Sequence, residues 1–292
     1  MADASGQADI RGIDIDKLAK GFADEENVFK NLCTVSSTSA REIRWYKKTS
    51  GFLDSVDTTG ITASQIANTS FRSKPVVVEQ SWTRQTSYIR KYFVESPTIS
   101  MEDIMDTDVD ILATNVRDLV RSVARQVDKR IYDEITTNNG NTAAATATWD
   151  NGTQANVNIV KDLLTAKKLI REDGYNPEGA FLLLTPGDHE LMLTNLIFTK
   201  GSSIPAFSSA QVSGQGVVQE ILGLNVIVST NVDPDEAAVV VGQRALTWKT
   251  FMPITSVVID DPGIGKKIRV WEEGEVLFTD VNAVSIITNI NE

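Results

Sequence analysis

The sequence predicts an α+β fold organised around one long helix. Apolar residues recur in steps of three and four after residue 108, helix and strand signals alternate between about 152 and 244, and the tail from Pro253 onward carries strand signals alone. The chain has 292 residues, which is enough for one large domain or two ordinary ones. We therefore expect a mixed fold in which the final strands are covered from elsewhere in the chain.

Composition limits the possible chemistry. Cys33 is the only cysteine and His189 the only histidine, so a disulfide within the chain, a cysteine-rich zinc site and a multi-histidine metal site are excluded. The 39 acidic residues outnumber the 28 basic ones, and the net charge of -11 argues against nucleic acid binding as the main task. The start of the chain lacks an export signal, and no apolar run approaches the roughly 20 residues that span a bilayer. We expect no cofactor, no metal and no membrane association.

The first third of the chain predicts an arm followed by a long hairpin. Residues 1–40 contain too few apolar residues for a core, so we expect an arm that a partner surface orders. Strand signals follow at Arg44-Trp-Tyr-Lys-Lys, at 75–82 and at 86–94, and a polar segment at 55–70 interrupts them. A hairpin of this kind is unstable alone in water and must lie on another surface.

A long amphipathic helix follows the hairpin. Ser100-Met-Glu-Asp103 resembles a capping box and Thr107-Asp-Val-Asp110 repeats the pattern, so a short turn should precede the helix. The helix is predicted over 108–135 and would be roughly 40 Å long. Its apolar stripe consists of Ile111 or Leu112, Val116, Leu119, Val120, Val123, Val127, Ile131 and Ile135.

The next segment predicts a compact α/β unit. Residues 136–156 are interpreted as a polar loop, 158–173 as an amphipathic helix and 179–184 as a buried strand. Thr185 is the expected N-cap of a third helix, with Pro186 at its first position. Further strands are predicted at 223–229, 237–241, 256–259, 267–271, 276–279 and 283–290.

Several motifs invite a chemical interpretation, and each has a structural alternative that we favour. His189 lies between two acids at a predicted helix start, where acids offset the helix dipole. The acids of 102–110 lack the spacing of a calcium loop. Gly214-Gln-Gly216 lacks the third glycine of a dinucleotide-binding loop, and Gly263-Ile-Gly-Lys-Lys267 fits a hairpin turn better than a phosphate-binding loop. These motifs do not predict an enzyme.

Charge is distributed unevenly along the chain. Residues 41–95 contain nine basic and five acidic residues, a net charge of +4, whereas the remainder carries 19 against 34, a net charge of -15. A basic hairpin would lie favourably across the acidic surface of an adjacent subunit. The alternative is that both charges lie on one solvated surface. The residues that we predict to contact the adjacent subunit are Arg44, Arg72, Lys74, Trp82 and Arg84.

The order of these elements resembles that of the HK97-fold major capsid proteins of tailed double-stranded DNA viruses, which are bacteriophages or archaeal viruses. The resemblance rests on an arm, a long two-stranded loop and a Ser-Pro-Thr-Ile-Ser linker at 96–100 before a capped helix. It extends through Gly223-Leu-Asn-Val-Ile-Val in the α/β unit to a closing β segment with Asp280-Val-Asn-Ala-Val-Ser-Ile-Ile. It covers nearly the whole chain and depends on this combination, since the family has no invariant catalytic motif.

The resemblance implies both an organisation and a role. The implied segments are an N-arm at 1–40, an E-loop hairpin with its return strand at 41–97, a peripheral domain at 98–151 and 245–292 with a spine helix at 108–135, and an axial domain at 152–244. The implied role is structural: copies form pentamers and hexamers that close into an icosahedral virion shell, assembled in the host cytoplasm. The shell encloses DNA without sequence-specific binding. The implied partners are other copies, a portal and, where used, separate scaffolding or decoration proteins.

Two departures from the family pattern lead to further expectations. Only about forty residues precede the hairpin, so we expect no cleaved scaffolding domain. Some relatives join a Lys of the loop covalently to an Asn of a neighbour. The expected loop tip at 56–70 has no Lys, so we expect noncovalent closure and no ladder of multimers on a denaturing gel.

Other functions are compatible with patterns this general. An encapsulin-type nanocompartment shell shares the resembled fold and would hold a protein cargo in place of DNA. An enzyme on the α/β unit would require activity that depends on His189 or Asp188. A monomeric adhesive or receptor-binding domain would form no large closed particle.

Overall fold

The computed structural model describes residues 29–50, 71–72, 74, 81–106, 111–151, 156–200 and 220–291. Within these ranges the chain forms two large sheets and a separate two-stranded hairpin. One buried apolar cluster includes Leu183 of one sheet and Trp248 of the other, so the two sheets share an interior. No helix in these ranges is long and apolar enough to cross a membrane.

Strands and helices are numbered here in chain order. The strands are β1 Thr34–Ser37, β2 Glu42–Ser50, β3 Ser81–Tyr88, β4 Arg90–Glu95, β5 Ile99–Ser100, β6 Asn141–Ala144, β7 Phe181–Leu184, β8 Glu220–Ile221, β9 Leu224–Val228, β10 Glu236–Val240, β11 Leu246–Asp261, β12 Gly265–Phe278 and β13 Val284–Thr288. The α-helices are α1 Met101–Asp106, α2 Ile111–Asn138, α3 Ile159–Glu172 and α4 Pro186–Lys200. Short 3₁₀ helices span Phe29–Leu32 and Val281–Ala283.

Helix α2 confirms the predicted long helix and ends three residues beyond the predicted range of 108–135. The hydroxyl of Ser100 accepts a hydrogen bond from the backbone N–H of Asp103 at 3.1 Å, so the first predicted cap is confirmed and starts the separate helix α1. The second predicted cap, at 107–110, lies outside the described residues. The buried apolar side chains that the structure describes on α2 are Val116, Val120, Val123, Ala124, Val127, Ile131, Tyr132 and Ile135.

The first large sheet has the order β1-β11-β12-β4, and β5 also pairs with β12. Helix α2 packs mainly on β12 and β4. Gly263 has a φ of +80°, in the left-handed region that glycine favours, and lies in the turn between β11 and β12. The hairpin interpretation of Gly263-Ile-Gly-Lys-Lys267 is therefore confirmed. The two strands predicted at 267–271 and 276–279 are in fact one continuous strand, β12.

The second large sheet has six strands in the order β6-β13-β10-β7-β9-β8. Strands β7, β9 and β10 with helices α3 and α4 form the predicted α/β unit. The loop interpretation of 136–156 is wrong at β6, which pairs in parallel with β13. This edge strand is Asn-Thr-Ala-Ala, so it lacks the apolar residues by which strands are recognised. Strands β6 and β13 come from ranges assigned to the peripheral domain, whose boundaries stay a prediction.

The segment before the hairpin is partly built into the body. Phe29 and Leu32 of the 3₁₀ helix are buried, and the backbone N–H of Phe29 donates to the buried carboxylate of Asp128 at 3.2 Å. Strand β1 then pairs in parallel with β11. The expectation that the arm needs a partner surface is therefore wrong for residues 29–37, because these few apolar side chains join the main core. Residues 1–28 lie outside the described part of the chain.

A buried carboxylate ties the segment after β6 to helix α3. Asp162 Oδ1 accepts hydrogen bonds from the backbone N–H of Thr146 at 2.9 Å and from its hydroxyl at 2.6 Å. Its Oδ2 accepts from the indole Nε1 of Trp149 at 3.2 Å, and Trp149 is fully buried. One acid thus fixes a segment that would otherwise have unpaired buried donors.

We expect Asp162→Asn to lower the free energy of unfolding by about 2 kcal/mol. The amide can still accept both bonds from Thr146, but its NH2 group then faces the indole N–H of Trp149, which loses its acceptor. Denaturant unfolding followed by tryptophan fluorescence measures the change. Asp118→Asn, an exposed position on α2, is the matched control and should have little effect. Equal stability of the two variants would contradict this account of Asp162.

Candidate inter-subunit surface

Strands β2 and β3 form a hairpin that stands apart from both large sheets. Among the described elements, β3 has a small contact with β12 where the hairpin meets the body. A two-stranded ribbon has too little apolar surface to be stable alone in water, and both of its outer edges carry backbone groups that the described strands leave unpaired. The structure therefore supports the inference that this hairpin requires another surface.

One face of the hairpin is exposed and combines aromatic with basic side chains. The register places Tyr46 opposite Arg84, Arg44 opposite Thr86 and Glu42 opposite Tyr88. Side chains of directly opposed residues lie on the same face of an antiparallel pair. Tyr46 is 62% exposed and Tyr88 65% exposed, which is unusual for aromatic residues. We call these six residues the exposed hairpin face.

The opposite face is less accessible. Ile43, Trp45, Gln85 and Ser87 are all half-buried. The indole Nε1 of Trp45 donates to the hydroxyl of Ser87 at 3.2 Å across the strands. The hairpin therefore has a face held by internal contacts and a face available to a partner.

The structure brings together only some of the predicted contact residues. Arg44 and Arg84 both lie on the exposed hairpin face, and the backbone of Trp82 pairs with Lys48 further along the ladder. Arg72 and Lys74 are exposed in the short described stretches between the two strands. Arg44 also pairs with Glu42 at 2.7 Å, an exposed contact that contributes little to stability.

Sequence reasoning missed Tyr46 and Tyr88 as contact residues. The alternation of period two within Arg44-Trp-Tyr-Lys-Lys was the available signal, because it places Arg44 and Tyr46 on one face. Tyr88 could not be assigned to that face without the register of β2 against β3.

A group of buried acids lies where the hairpin joins the body. Glu272, Glu273 and Glu275 of β12 are each at most 5% exposed, and we call them the buried acidic run. The backbone N–H of Ile89 donates to the carbonyl of Arg41 at 3.0 Å and closes the base of the hairpin beside them. Burial of three neighbouring carboxylates is costly unless cations compensate them.

Cations from four different segments supply that compensation. Lys30 of the 3₁₀ helix pairs with Glu272. Glu273 lies 3.7 Å from Arg41 at the hairpin base and 3.6 Å from Lys91 of β4. Glu275 receives Arg90 of β4 at 3.0 Å and Arg130 of α2 at 2.8 Å. Strand β12 therefore connects the first segment, the hairpin base, β4 and the long helix through ion pairs.

Burial is the largest influence on the pKa of Glu275. It raises the pKa of the Glu275 carboxyl, and this effect exceeds the opposing effects of Arg130 and Arg90. In the folded state the ionised carboxylate is therefore less favourable than in water, even with two guanidinium groups beside it.

We expect Glu275→Gln to reduce the pH dependence of stability. The pKa of the Glu275 carboxyl is higher in the folded than in the unfolded chain, so protonated Glu275 favours folding. This contribution to stability is fully present below the unfolded pKa and is lost as pH rises through the folded pKa. The Gln variant does not ionise, so it should lose less free energy of unfolding than the parent between about pH 4 and pH 7. Denaturant titrations at both pH values measure this, with the exposed Glu102→Gln as control. Equal losses in the parent and Glu275→Gln would contradict the raised pKa.

The residues proposed as alternatives for chemistry have structural roles. The carboxylate of Asp188 accepts hydrogen bonds from the Thr185 hydroxyl at 2.6 Å and from the Asn291 side chain at 2.7 Å. The Thr185 hydroxyl accepts the backbone N–H of Asp188 at 3.1 Å, which confirms the predicted N-cap of α4. His189 is half-buried, and burial lowers the pKa of its imidazole. These contacts start a helix, and among the described residues the imidazole Nε2 of His189 has no hydrogen-bond partner.

Two other motifs lie partly or wholly outside the described residues. Glu102 and Asp103 are exposed at the start of α1, and the structure shows no group of three or more metal-binding side chains among the residues it describes. Gly214-Gln-Gly216 lies in 201–219, outside the described residues.

Comparison with known proteins assigns this architecture. A family model described as phage capsid protein matches residues 98–283, which is more than half of the chain. No curated protein sequence matches the chain significantly.

Solved capsid and shell structures share the fold at low sequence identity. The capsid of the cyanophage P-SCSP1u is 11% identical with a TM-score of 0.68, and the alignment covers 91% of this chain and 89% of that one. A virus-like particle from Pyrococcus furiosus is 12% identical with a TM-score of 0.64, covering 95% and 99%. The SrpI encapsulin of Synechococcus elongatus is 12% identical with a TM-score of 0.58, covering 89% and 86%.

These likenesses confirm the HK97 fold that the sequence predicts, with its long helix, projecting hairpin and two sheets. The matched family adds the role, a structural component of the virion capsid. The chain therefore belongs to the phage capsid protein family and is an HK97-fold major capsid protein.

Proposed function

We propose that copies of this chain form pentamers and hexamers that close into an icosahedral shell around double-stranded DNA. In this arrangement the exposed hairpin face of each copy lies on the body of an adjacent copy. The observation that carries the proposal is the projecting hairpin, which has an exposed aromatic and basic face and pairs with neither large sheet among the described strands. Permanent interfaces typically bury more than about 2,000 Å², and aromatic residues and Arg are enriched in them.

Charge supports this assignment of the hairpin. The segment 41–95 carries a net charge of +4 and the remainder -15, so the hairpin of one copy and the body of the next attract each other. Attraction at this contact also orients the two copies during encounter. We propose that Arg44, Arg72, Lys74, Trp82 and Arg84 contribute, together with Tyr46 and Tyr88.

The proposed shell encloses DNA without reading its sequence. An acidic subunit would adhere little to a polyanion at physiological salt, so packaged DNA would stay free to leave. We further propose assembly in the host cytoplasm with a portal protein, and with separate scaffolding or decoration proteins where the virus uses them. No catalytic step belongs to this role.

Expression of the full chain followed by light scattering and negative-stain microscopy tests the proposal. We expect closed particles of uniform diameter. Particles purified from infected cells should protect double-stranded DNA from nuclease. Purified chains that remain monomeric at every concentration would contradict the assembly proposal.

The alternative is an encapsulin-type shell, which the likeness to the SrpI encapsulin favours. That shell would hold a protein cargo. Nuclease-resistant DNA inside particles from the natural source supports the capsid, whereas a stoichiometric cargo protein without DNA supports the nanocompartment.

A further inference from the structure

The hairpin is joined to the body by two short connections. On one side the chain passes from the end of β1 at Ser37 to the start of β2 at Glu42. On the other side only Ile89 separates β3 from β4, which is already paired with β12. The direction in which the hairpin leaves the body is therefore decided within a few residues, beside the buried acidic run.

The ion pairs at this joint are asymmetric in exposure. The side chains of Glu273 and Glu275 are 7% and 3% exposed, whereas those of Arg41, Arg90 and Lys91 are 77%, 58% and 52% exposed. A cation at the hairpin base has solvent on one side into which it can move, whereas the buried carboxylate is held in place and loses its compensation when the cation leaves. The acids are therefore the fixed part of the joint and the cations the movable part.

Stability alone does not explain the buried acidic run. Replacing buried ion pairs by neutral residues of similar size is often neutral or favourable, because each buried charge must give up its hydration. The buried acidic run instead fixes the relative positions of the segments that carry its cations. Acids on a single strand hold Lys30, Arg41, Lys91 and Arg130, which come from four segments, in one arrangement.

We propose that the buried acidic run sets the angle at which the hairpin leaves the body and thereby the curvature of the shell. The inference rests on the proposed function, in which the hairpin contacts an adjacent copy. A small change of direction at the base moves the exposed hairpin face relative to its target, and the change is repeated at every copy. Glu273 is the central positioning residue, because it holds both the hairpin base through Arg41 and β4 through Lys91.

The chain offers a matched pair of variants as a test. Glu273 and Lys91 are directly opposite each other across β12 and β4, as are Arg269 and Glu95 further along the same two strands. Both pairs form ion pairs, but only the first lies at the hairpin base. We measure the number of shells with the parent diameter divided by the number of particles of any other size or form. We expect Glu273→Gln to lower this ratio about tenfold and Glu95→Gln to leave it unchanged.

A second variant and a folding measurement separate geometry from stability. Arg41→Gln with Lys91→Gln removes the same pairs from the exposed side and should change particle diameter in the same way. Cys33 is buried, and burial raises the pKa of its thiol to about 12. Because the thiolate is the reactive form, Cys33 reacts slowly with a thiol reagent as long as the core around it stays folded. We expect Cys33 to stay protected in both variants. The unfolding midpoint should stay near that of the parent in Glu273→Gln and fall in the double variant, which leaves the buried carboxylate of Glu273 without Arg41 and Lys91.

The outcomes distinguish this inference from the proposed function. If Arg84→Glu blocks assembly while Glu273→Gln and the double variant give shells of the parent diameter, the positioning role is wrong and the hairpin contact stands. If both Arg84→Glu and the double variant Tyr46→Ala with Tyr88→Ala leave the shells normal, the hairpin contact itself is wrong. Particle diameters from cryo-electron microscopy supply both answers.

Discussion

Replacing Arg84 by Glu should abolish shell formation while the subunit stays folded. Arg84 lies on the exposed hairpin face beside Tyr46, where substitution removes no core contact. The reversal replaces attraction to an acidic surface by repulsion. A central interface residue often contributes about 2 kcal/mol or more, and each 1.4 kcal/mol is about tenfold in an equilibrium constant. Because every subunit repeats the contact, the losses accumulate over the shell.

Particle yield by sedimentation and subunit folding by circular dichroism measure this result. Lys161→Glu is the matched control, because Lys161 is exposed in the first turn of α3, where an acid is tolerated. Charge reversal at Arg72 or Lys74 should weaken assembly in the same direction, and salt should weaken assembly of the parent chain. If the Arg84 variant forms normal particles in both low and high salt, the electrostatic part of the contact is wrong.

The apolar part of the same contact is tested separately. The double variant Tyr46→Ala with Tyr88→Ala removes both exposed rings without changing charge. We expect assembly to be lost at all salt concentrations, since burial of apolar surface is not screened by ions. Unchanged yield would indicate that the rings stay in solvent.

The second large effect is expected within the subunit. Gly274 lies in β12 among the buried acids, and a Cβ atom there would lie 2.4 Å from Cζ2 of Trp248. It would also lie 3.0 Å from the backbone oxygen of Lys249. Trp248 is fully buried and belongs to the core that the two sheets share, so it cannot withdraw without displacing its neighbours.

We therefore expect Gly274→Ala to lower the free energy of unfolding by about 3 kcal/mol. The matched control is Gly187→Ala in the first turn of α4, where the nearest atom to a new Cβ is 3.8 Å away. Ala favours a helix over Gly, so this variant should be neutral or up to about 1 kcal/mol more stable. Thermal unfolding of both variants measures the difference. Similar melting of Gly274→Ala and the parent would show that the indole can move aside.

The main elements of the fold were predictable because their signals are local. The stripe of α2, the cap at Ser100 and the N-cap at Thr185 each depend on residues within a few positions of one another. The basic and aromatic character of the hairpin was visible for the same reason. Burial of Asp162 or pairing of β6 with β13 depends on contacts between distant residues, which no local pattern contains.

The buried acidic run shows this limit most clearly. The sequence predicted a break in strand structure between 271 and 276, because consecutive acids usually indicate exposed chain. The structure continues the strand through that interval and buries the acids. Their burial requires cations at 30, 41, 90, 91 and 130, which are far away in the sequence and close only in the folded chain.

The parallel pairing of β1 with β11 has a consequence for synthesis on the ribosome. Thr34 pairs with Thr247, and Lys30 pairs with Glu272, so these two contacts cannot form until more than two hundred further residues have been synthesised. Contacts of such sequence separation form late and slowly. A nascent chain that stops before residue 246 has the hairpin strands but neither β11 nor β12, and therefore no body to anchor them. In the proposed shell, docking of the hairpin on an adjacent copy would therefore follow completed translation of the subunit.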